Sequence, residues 1–235
     1  MKTIAIGPMY NEGERAVGVI QRFPRGLVDE IVVVNDASTD GADRQVAEAG
    51  VTVLHQLKRS GPGTAIRTGI DYGLKKGYEV FVIFATNGKD NPEEIPRLLA
   101  PLNKGEADFV LGSRYIKGGS WRHMPFYRVW GIRFFTLLFS ICAGKKITDG
   151  TSGFRAFRRS LLEDPRINLW QEWLDGYPLE TYFFFQAVRL GYRVMEVPVT
   201  KTYPNSKTSY SKMRPWIDWW NYFKPVPFLT FRLKK

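Results

Sequence analysis

Cysteine is nearly absent from this sequence, which has one in 235 residues. A single thiol excludes an internal disulfide framework, and Cys142 lies in an apolar run where we expect a buried, unreactive side chain. Histidine is scarce as well: His55 and His123 have no cysteine or further histidine at ligand spacing, so a zinc site is not expected. These absences favour a protein of the reducing cytoplasm.

Long hydrophobic runs are also missing. The longest uncharged stretch, 134–144, is far shorter than the roughly 20 apolar residues that a membrane-spanning helix needs. The first residues lack the basic, apolar and small-residue regions of a signal peptide, and the sequence has neither internal repeats nor low-complexity segments. We therefore expect a protein that is neither exported nor inserted across a bilayer.

Acidic residues are outnumbered, since 34 lysines and arginines face 23 aspartates and glutamates, which gives a net charge of +11. An excess of this size predicts an anionic partner, and nucleic acid, acidic lipid and the phosphates of a small substrate all fit it. Hydrophobic residues make up 44% of the chain and charged residues 24%, values typical of a folded protein. The length suits one large domain.

Short β-branched runs alternate with helix-like segments, a pattern typical of an α/β fold with a mostly parallel central sheet flanked by helices. The predicted strands are 3–6, 30–34, 52–56, 80–84 and 108–112. Helices are predicted to begin near Asn11, Asp40 and Gly63. Further along, 179–190 predicts a helix and 193–199 a strand.

The composition changes after Gly119, where aromatic residues become frequent over 121–139 and suggest a second lobe packed on the first. We divide the chain into a domain over 1–212 and a C-terminal tail over 213–235. The tail mixes Trp and Phe with Lys and Arg, which suits contact with an anionic membrane surface. Packing of the same aromatic side chains on the protein itself is an equally open alternative.

Polar segments follow four of the predicted strands. They are 8–12, 35–41, 58–63 and 85–90. Because loops after parallel strands meet at one edge of a sheet, these segments are candidates for a single shared site. Asn, Asp, Ser and Gly also favour helix caps and turns, so any one loop has a local explanation. Four such loops in register favour a binding site.

Four segments of the sequence carry a resemblance to a known family. They are PMYNE at 8–12, VVVNDASTDG at 32–41, GSRY at 112–115 and DGTSGFR at 149–155. The sequence resembles the family-two glycosyltransferases of the GT-A fold, and most of all the dolichyl-phosphate mannosyltransferase group. The resemblance implies transfer of a sugar, with inversion, from a UDP or GDP sugar to a polyprenyl phosphate or a surface glycan. It also implies a nucleotide-binding half over 1–112 and an acceptor-side half over 113–212.

The resemblance implies roles for single residues on the donor side. Glu12 and Asp36 match acidic positions that hold the base and the ribose, where carboxylates accept hydrogen bonds from N–H and hydroxyl groups. Arg67 and the first N–H groups of the helix near Gly63 would offset the diphosphate charge, although a solvated arginine fits this position equally. The other donor-side residues are Pro8, Tyr10, Ser38, Thr86 and Asn87.

On the acceptor side the resemblance implies two arginines and two carboxylates. Arg114 and Arg155 match positions near the phosphates of the donor or of the acceptor, where a forked guanidinium suits phosphate oxygens. Asp149 and Glu180 are the candidates for a general base, which a hydroxyl acceptor needs because it must lose a proton. A lipid phosphate is already an anion and needs no base. The sequence leaves both acceptors open.

The sequence departs from the family at the expected metal ligands. After the fourth strand the family usually has Asp-x-Asp, which binds Mg²⁺ or Mn²⁺ on the donor diphosphate, whereas this sequence has Ala85-Thr86-Asn87. Two alternatives stay open: Asn87 and Asp90 hold the divalent cation more weakly, or positive side chains such as Lys89 replace it. We favour the weaker metal site. A donor-binding protein without catalysis is a further alternative.

The expected location is the cytoplasm, with peripheral contact at the inner face of the membrane where a lipid-borne acceptor would lie. Segment 203–212 matches a basic loop of the family, in which Lys207 and Lys212 would close on phosphate, and a plain linker fits it as well. Nucleotidyl transfer is disfavoured because it predicts a basic Gly-rich loop where 10–12 reads YNE. Nucleic acid is disfavoured by the acidic loops at the expected site.

Overall fold

The protein is described by a computed structural model over residues 1–24, 26–203 and 217–234. Its strands are β1 (Thr3–Met9), β2 (Glu30–Asn35), β3 (Thr52–His55), β4 (Val80–Ile83), β5 (Phe109–Ser113), β6 (Ser120–Arg122), β7 (Arg155–Arg158), β8 (Val194–Pro198) and β9 (Thr200–Thr202). Its helices are α1 (Glu14–Gln21), α2 (Ala42–Glu48), α3 (Pro62–Lys75), α4 (Ile95–Asn103), α5 (Phe126–Ala143), α6 (Pro178–Arg189), α7 (Ile217–Phe223) and α8 (Pro225–Thr230). Every strand and helix predicted from the sequence is present, with ends that differ by a few residues.

Seven strands form one sheet in the order β3-β2-β1-β4-β7-β5-β8. Neighbouring strands from β3 to β4 run parallel, β5 and β8 run parallel, and β7 is antiparallel to both β4 and β5. The expected α/β class with a mostly parallel sheet is confirmed. Strand β7 was not predicted, because a four-residue strand with an arginine at each end gives no apolar run.

Alternate residues of the strands pack on two separate cores, one on each face of the sheet. Ile4 and Ile6 of β1 contact the core beneath α3, α5 and α6, whereas Ala5 contacts the core beneath α1, α2 and α4. This two-residue period is what a strand buried on both faces requires. The first core is strongly aromatic, and each fully buried phenylalanine contributes roughly 1.5–3 kcal/mol of transfer free energy.

The second lobe expected after Gly119 is not separate from the first. Strands β5, β7 and β8 are hydrogen-bonded into the same sheet as β1 to β4. The rings of Phe81, Phe157 and Phe109 stack across this junction, with centroids 5.7 and 5.9 Å apart. The two halves therefore share the sheet and the cores on both of its faces. The predicted boundary between 212 and 213 lies outside the described residues, as do Lys207, Lys212 and tail residues 213–216.

Helix α5 is the element of the fold that differs most from what the sequence predicts. It begins after Pro125 and ends at Gly144, whose left-handed φ of 69° is a common helix stop. Within the described residues it is the one helix that is long and apolar enough to cross a membrane by length and composition, and 22% of it is buried. The sequence does not indicate a helix of this length and hydropathy, because Arg128 and Arg133 interrupt its uncharged residues. Cys142, expected to be buried, is partly exposed on this helix.

Part of the C-terminal tail packs on the protein itself. Val226 and Leu229 of α8 are buried, and Tyr222 and Phe223 of α7 each lie 5.6 Å from the ring of Phe135 on α5. The self-packing alternative is therefore realised for these side chains. A second set of tail residues remains exposed, namely Trp219, Trp220, Phe231 and Leu233.

Candidate active site

A cavity of about 690 Å³ opens at one edge of the sheet. Strands β1, β2, β4 and β5 end at this edge, and the antiparallel β7 begins there, with Arg155 opposite both Ile83 and Leu111. The loops before β7 and after the parallel strands therefore converge. The cavity is lined by nine of the predicted site residues, which are Pro8, Tyr10, Glu12, Asp36, Thr86, Asn87, Asp90, Arg114 and Glu180.

Asp36 lies at the end of β2 and organises the donor side of the cavity. Its side chain is nearly buried, and its two oxygens accept hydrogen bonds from the N–H groups of Ser60 at 2.6 Å and Gly61 at 2.9 Å. Gly61 has a φ of 99°, and an added Cβ would lie 2.8 Å from the carbonyl oxygen of Asp175, so glycine is required there. The carboxylate thus fixes the loop that leads into α3.

Ser38 connects two loops beside the cavity. Its hydroxyl accepts the N–H of Asn11 at 2.9 Å, and the Asn11 side chain accepts the N–H of Thr39 at 2.8 Å. Asn11 has a left-handed φ of 49°, a conformation that asparagine tolerates better than most residues. Next to it, the Arg59 guanidinium lies 4.2 Å from the centre of the Tyr10 ring. Tyr10 lines the cavity, while Ser38 stabilises the loops behind it.

Arg67 does not reach the cavity. Its guanidinium donates to the carbonyl oxygens of Leu169 at 3.1 Å and Gln171 at 3.0 Å, and it forms an ion pair with Asp175. The predicted contact of Arg67 with the diphosphate is therefore not supported. This arginine fixes the segment 169–175 against α3, from more than a hundred residues away in the sequence.

The N-terminus of α3 is covered by the same segment. The N–H of Thr64 donates to the carbonyl oxygen of Asp175 at 3.0 Å. A Cβ added to Gly63 would lie 2.1 Å from the carbonyl oxygen of Leu174. The expectation that the first N–H groups of this helix face phosphate is wrong for Thr64, because protein backbone occupies that space.

Arg114, which lines the cavity, forms a buried ion pair with Asp149. Arg114 is 2% exposed and Asp149 is fully buried, and Nε and Nη2 of the arginine each lie 2.6 Å from a different carboxylate oxygen. Burial opposes both charges, but their mutual attraction outweighs it, so the pKa of Arg114 is raised and the pKa of Asp149 is lowered. Arg114 also donates to the hydroxyls of Thr151 at 2.6 Å and Tyr203 at 2.8 Å.

This geometry corrects the role predicted for Asp149. Asp149 is fully buried with both carboxylate oxygens bound to Arg114, so this geometry does not favour Asp149 as a general base. Glu196 supports it from behind, because one Glu196 oxygen accepts the N–H of Asp149 at 3.0 Å. Burial raises the pKa of Glu196. Glu196 was not predicted, since one acidic residue within a strand pattern gives no signal.

Arg155 is a second buried arginine that holds backbone instead of ligand. It donates to the carbonyl oxygens of Ser152 at 2.6 Å and Glu180 at 2.7 Å, and its guanidinium lies 3.5 Å from the Glu180 carboxylate. The predicted phosphate contact of Arg155 is not supported, because its guanidinium binds backbone carbonyls and, unlike Arg114, the residue does not line the cavity. Glu180 itself lines the cavity and is the carboxylate on the acceptor side that a ligand can reach.

The predicted metal ligands, Asn87 and Asp90, both accept hydrogen bonds from neighbouring groups of the protein. Asp90 accepts the N–H of Ala85 at 3.0 Å through Oδ2 and pairs with the Lys201 ammonium at 2.9 Å through Oδ1. The Asn87 side-chain oxygen accepts the N–H of Lys89 at 3.2 Å. Across the described residues, no group of three acidic, histidine or cysteine side chains is placed to hold a metal ion. The expected divalent cation therefore does not fit the donor atoms present at Asn87 and Asp90.

Several cations that line the cavity were missed. They are Arg59, Arg128 and Lys201, and Lys89 lines the cavity with them. Burial, together with the charges of Lys201 and Arg128, lowers the pKa of Lys89 to about 8. Lys201 belongs to β9, a three-residue strand that pairs with β6 and that no sequence period reveals. The one available signal was the alternation of lysine and tyrosine with threonine over 200–203.

Another part of the cavity wall is apolar. It is formed by side chains of α5 and α7, namely Ile132, Phe134, Phe135, Trp219, Trp220, Tyr222 and Phe223. The cavity thus joins a polar end, with carboxylates and cations at the strand ends, to an aromatic end that reaches the surface. Such a site can bind a ligand that carries both charged and hydrocarbon parts.

The chain matches the family model described as glycosyl transferase family 2 over residues 5–165. Polyprenol monophosphomannose synthase of Mycolicibacterium smegmatis is 35% identical over 208 residues, covering 86% of this chain and 77% of that protein. Undecaprenyl-phosphate mannosyltransferase of Micrococcus luteus is 36% identical over 206 residues, covering 85% of this chain and 83% of that protein.

Among solved structures, glucosyl-3-phosphoglycerate synthase from Mycobacterium tuberculosis, in complex with Mn²⁺, UDP-glucose and phosphoglyceric acid, superposes with a TM-score of 0.73. The two chains are 19% identical, and the match covers 100% of this chain and 81% of the synthase. That similarity shows the fold, and it confirms the GT-A fold expected from the sequence. The chain belongs to glycosyl transferase family 2 and is a glycosyltransferase.

Proposed function

We propose that this enzyme transfers a hexose, with mannose as the first candidate, from a nucleotide diphosphate sugar to a polyprenyl phosphate at the membrane surface. The observation that carries the proposal is the single cavity that joins the polar strand ends to the aromatic wall of α5 and α7. The relatives named as polyprenol monophosphomannose synthase and undecaprenyl-phosphate mannosyltransferase support the acceptor class and the sugar.

The donor nucleotide fits the end of the cavity formed after β1 and β2. Tyr10 offers a ring face to the base, and Glu12 and Asp36 offer carboxylate oxygens to base N–H and ribose hydroxyl groups. Thr86 stabilises this end, because its hydroxyl donates to the carbonyl oxygen of Pro8 at 2.7 Å. These contacts suit a uracil and a guanine base alike.

A lipid phosphate acceptor suits the rest of the cavity. Its phosphate would approach Arg114 and Thr151, and its hydrocarbon chain would leave along the aromatic wall. In the transfer, an acceptor phosphate oxygen bonds to the anomeric carbon while the bond from that carbon to the diphosphate oxygen breaks. The diphosphate leaves with the bonding electron pair, and no proton has to be removed. This reaction needs no general base, which agrees with the complete burial of Asp149. A hydroxyl acceptor would need a base, and Glu180 lines the cavity where it could contact such an acceptor.

A divalent cation is held with UDP by solved neighbours of this fold, which contain Mn²⁺ or Mg²⁺. When bound, such an ion neutralises the diphosphate as it leaves. The residues of this chain at the corresponding strand end are Ala85, Thr86 and Asn87, and Asp90 is committed to Lys201. The proposed reaction therefore does not require side chains of this protein to bind a metal ion.

Peripheral contact with an anionic membrane at its cytoplasmic face completes the proposal. One face of α5 carries apolar side chains at helical spacing, each more than half exposed: Phe126, Trp130, Phe134, Leu137 and Ile141. Exposed cations flank this face, including Arg133, Lys145 and Lys146. The other face of α5 packs on the protein, so the helix would lie in the plane of the interface. This surface adjoins the apolar end of the cavity, where a lipid acceptor would enter.

The test is transfer of labelled sugar into vesicles that contain a polyprenyl phosphate, with GDP-mannose and UDP-glucose as donors. We expect label to appear in the lipid extract, and to depend on Asp36. Asp36→Asn should weaken donor binding at least about tenfold, because the amide cannot accept both loop N–H groups and a sugar hydroxyl. The matched control is Asp71→Asn, which removes an exposed carboxylate from α3.

Label that appears only in water-soluble glycan would contradict the acceptor. Donor binding without transfer to any acceptor would instead indicate a nucleotide-sugar-binding protein that has lost catalysis. Equal donor affinity in wild type and Asp36→Asn would contradict the assignment of the nucleotide site.

A further inference from the structure

The strand end where the family carries metal-binding carboxylates has a different construction in this chain. Ala85 and Asn87 carry no charge, and Asp90 is 3% exposed. The two Asp90 oxygens accept the Ala85 N–H and the Lys201 ammonium at 3.0 and 2.9 Å. The local carboxylate is therefore used to hold a cation that belongs to the protein.

Lys201 is fixed in place by its strand. The residue is 9% exposed, and its backbone forms an antiparallel bridge with Asp90. The preceding residue, Thr200, donates its N–H to the buried Glu94 carboxylate at 2.7 Å, which anchors β9. A lysine held at both backbone and ammonium loses little further freedom when an anion binds next to it.

Two more cations lie near Lys201 at the same cavity wall. The backbone carbonyl of Lys89 accepts the N–H of Thr202 at 3.0 Å, which joins the β4 loop to β9. The Lys89 ammonium and the Arg128 guanidinium lie 5.7 and 5.5 Å from the centre of the Tyr203 ring. Arg114 binds the hydroxyl of the same tyrosine. Three cations, Lys89, Arg128 and Lys201, thus line the same cavity as Asn87 and Asp90.

We propose that Lys201, held by Asp90, and Lys89 neutralise the donor diphosphate in place of a divalent cation, so that donor binding is independent of metal. The inference rests on the proposed function, since it concerns the same nucleotide diphosphate site. Lysine ammonium groups supply point charges and hydrogen-bond donors to phosphate oxygens, and they can stabilise the charge on a departing diphosphate without a metal.

The first test is calorimetry of GDP and UDP binding to the full chain with EDTA or with added Mn²⁺. For whichever nucleotide binds, we expect the Kd to differ by less than about threefold between the two conditions, because no metal ion contributes to its binding. Binding that disappears in EDTA and returns with Mn²⁺ would overturn the inference and leave the proposed function intact. If neither nucleotide binds in either condition, both are wrong.

Two charge-removing variants test the lysines directly. Lys201→Met and Lys89→Met should each weaken binding of the diphosphate about tenfold or more, and should leave binding of guanosine and uridine unchanged. Lys104→Met, which removes an exposed lysine after α4, is the matched control and should change neither. If these variants lose as much affinity for the nucleosides as for the nucleoside diphosphates, or lose affinity for neither, the proposed role of the lysines is contradicted.

Lys201→Met leaves Asp90 buried without its counter-charge, so the double variant Lys201→Met with Asp90→Asn separates folding from binding. The double variant should melt close to the wild type and still bind the diphosphate weakly. A reverse variant, Ala85→Asp with Asn87→Asp, should bind Mn²⁺ measurably by electron paramagnetic resonance where the wild type does not. Mn²⁺ binding by the wild type itself at this site would overturn the inference.

Discussion

The donor side and the acceptor side of the cavity are built on different interactions. On the donor side, polar side chains such as Asp36 and Ser38 accept hydrogen bonds from the N–H groups of neighbouring loops. On the acceptor side, charged side chains pair with one another in the interior, as Arg114 does with Asp149. A loop hydrogen bond contributes about 1 kcal/mol, whereas removing one member of a buried ion pair leaves an uncompensated charge. The acceptor side is therefore the less tolerant of substitution.

Asp149→Asn should have the largest effect on stability. The amide keeps the shape of the side chain but leaves the buried Arg114 charge without its partner, which costs about 3–5 kcal/mol. The measurement is urea unfolding followed by fluorescence or circular dichroism. Asp71→Asn is the control, since the Asp71 pair with Lys75 is exposed and should contribute little.

The pH dependence sharpens this prediction. The pKa of the Asp149 carboxyl is lower in the folded protein than in the unfolded chain, where it is about 4. The stability that this carboxylate contributes is therefore present above about pH 4 and is lost as the pH falls through its folded-state pKa. The wild type should lose more stability on acidification than Asp149→Asn. Parallel pH profiles, or a cost as small as that of Asp71→Asn, would show that the two sides of the cavity do not differ as described.

Gly63→Ala should have the next largest effect, because it lies where the two sides meet. A Cβ at this position would lie 2.1 Å from the carbonyl oxygen of Leu174, and backbone on the acceptor side would have to move. Overpacking of this kind costs about 1–3 kcal/mol. The control is Gly18→Ala in α1, where an added Cβ meets no atom within 4 Å. That substitution should stabilise the helix by about 0.5–1 kcal/mol.

The same denaturant titration measures both glycine variants, and donor binding by calorimetry shows where the backbone moved. Loss of donor affinity in Gly63→Ala would indicate that the displaced segment 174–176 shapes the loop held by Asp36. If Gly63→Ala is as stable as Gly18→Ala, the close contact between the N-terminus of α3 and the acceptor side does not exist in solution.

The donor side could largely be predicted from the sequence, and the acceptor side could not. Loops that follow parallel strands are recognisable in a sequence, because a strand period is followed by polar residues. The expectation that Glu12, Asp36 and Asn87 lie in one cleft is met, since all three line the cavity. Strands β7 and β9 have four and three residues, too few for a detectable period. The antiparallel pairing of β7 with β4 and β5 depends on contacts between distant parts of the chain. The same holds for the parallel pairing of β9 with β6, which brings Lys201 to the site.

The arginines show that residue type alone does not establish which group a side chain binds. Arg67, Arg114 and Arg155 all match phosphate-binding chemistry, yet Arg67 and Arg155 bind backbone carbonyls of segments that the sequence does not place. A guanidinium satisfies either partner, and only the tertiary structure decides which is nearby. The α5 helix was overlooked for a related reason, because two arginines inside a helix do not prevent one of its faces from being apolar.

Substitution on the exposed face of α5 should have the smallest effect on stability and a clear effect on membrane contact. Leu137 and Ile141 are 58% and 67% exposed, so Leu137→Ser with Ile141→Ser should change the free energy of unfolding by no more than about 0.5 kcal/mol per site. Sedimentation with anionic vesicles should nevertheless fall, because apolar area that would enter the interface is lost. Lowering the salt concentration should restore little of the vesicle binding that this variant has lost.

Leu57→Ser provides the matched control for this surface. Leu57 is fully exposed in the segment after β3, on the donor side of the molecule, and its loss should leave vesicle binding unchanged. If Leu57→Ser reduces sedimentation as much as the α5 variant, the protein binds membranes through its overall positive charge and apolar surface, and α5 is not a dedicated contact. If only the α5 variant loses both vesicle binding and transfer to a lipid-borne acceptor, while still binding the donor, the membrane contact belongs to the acceptor side alone.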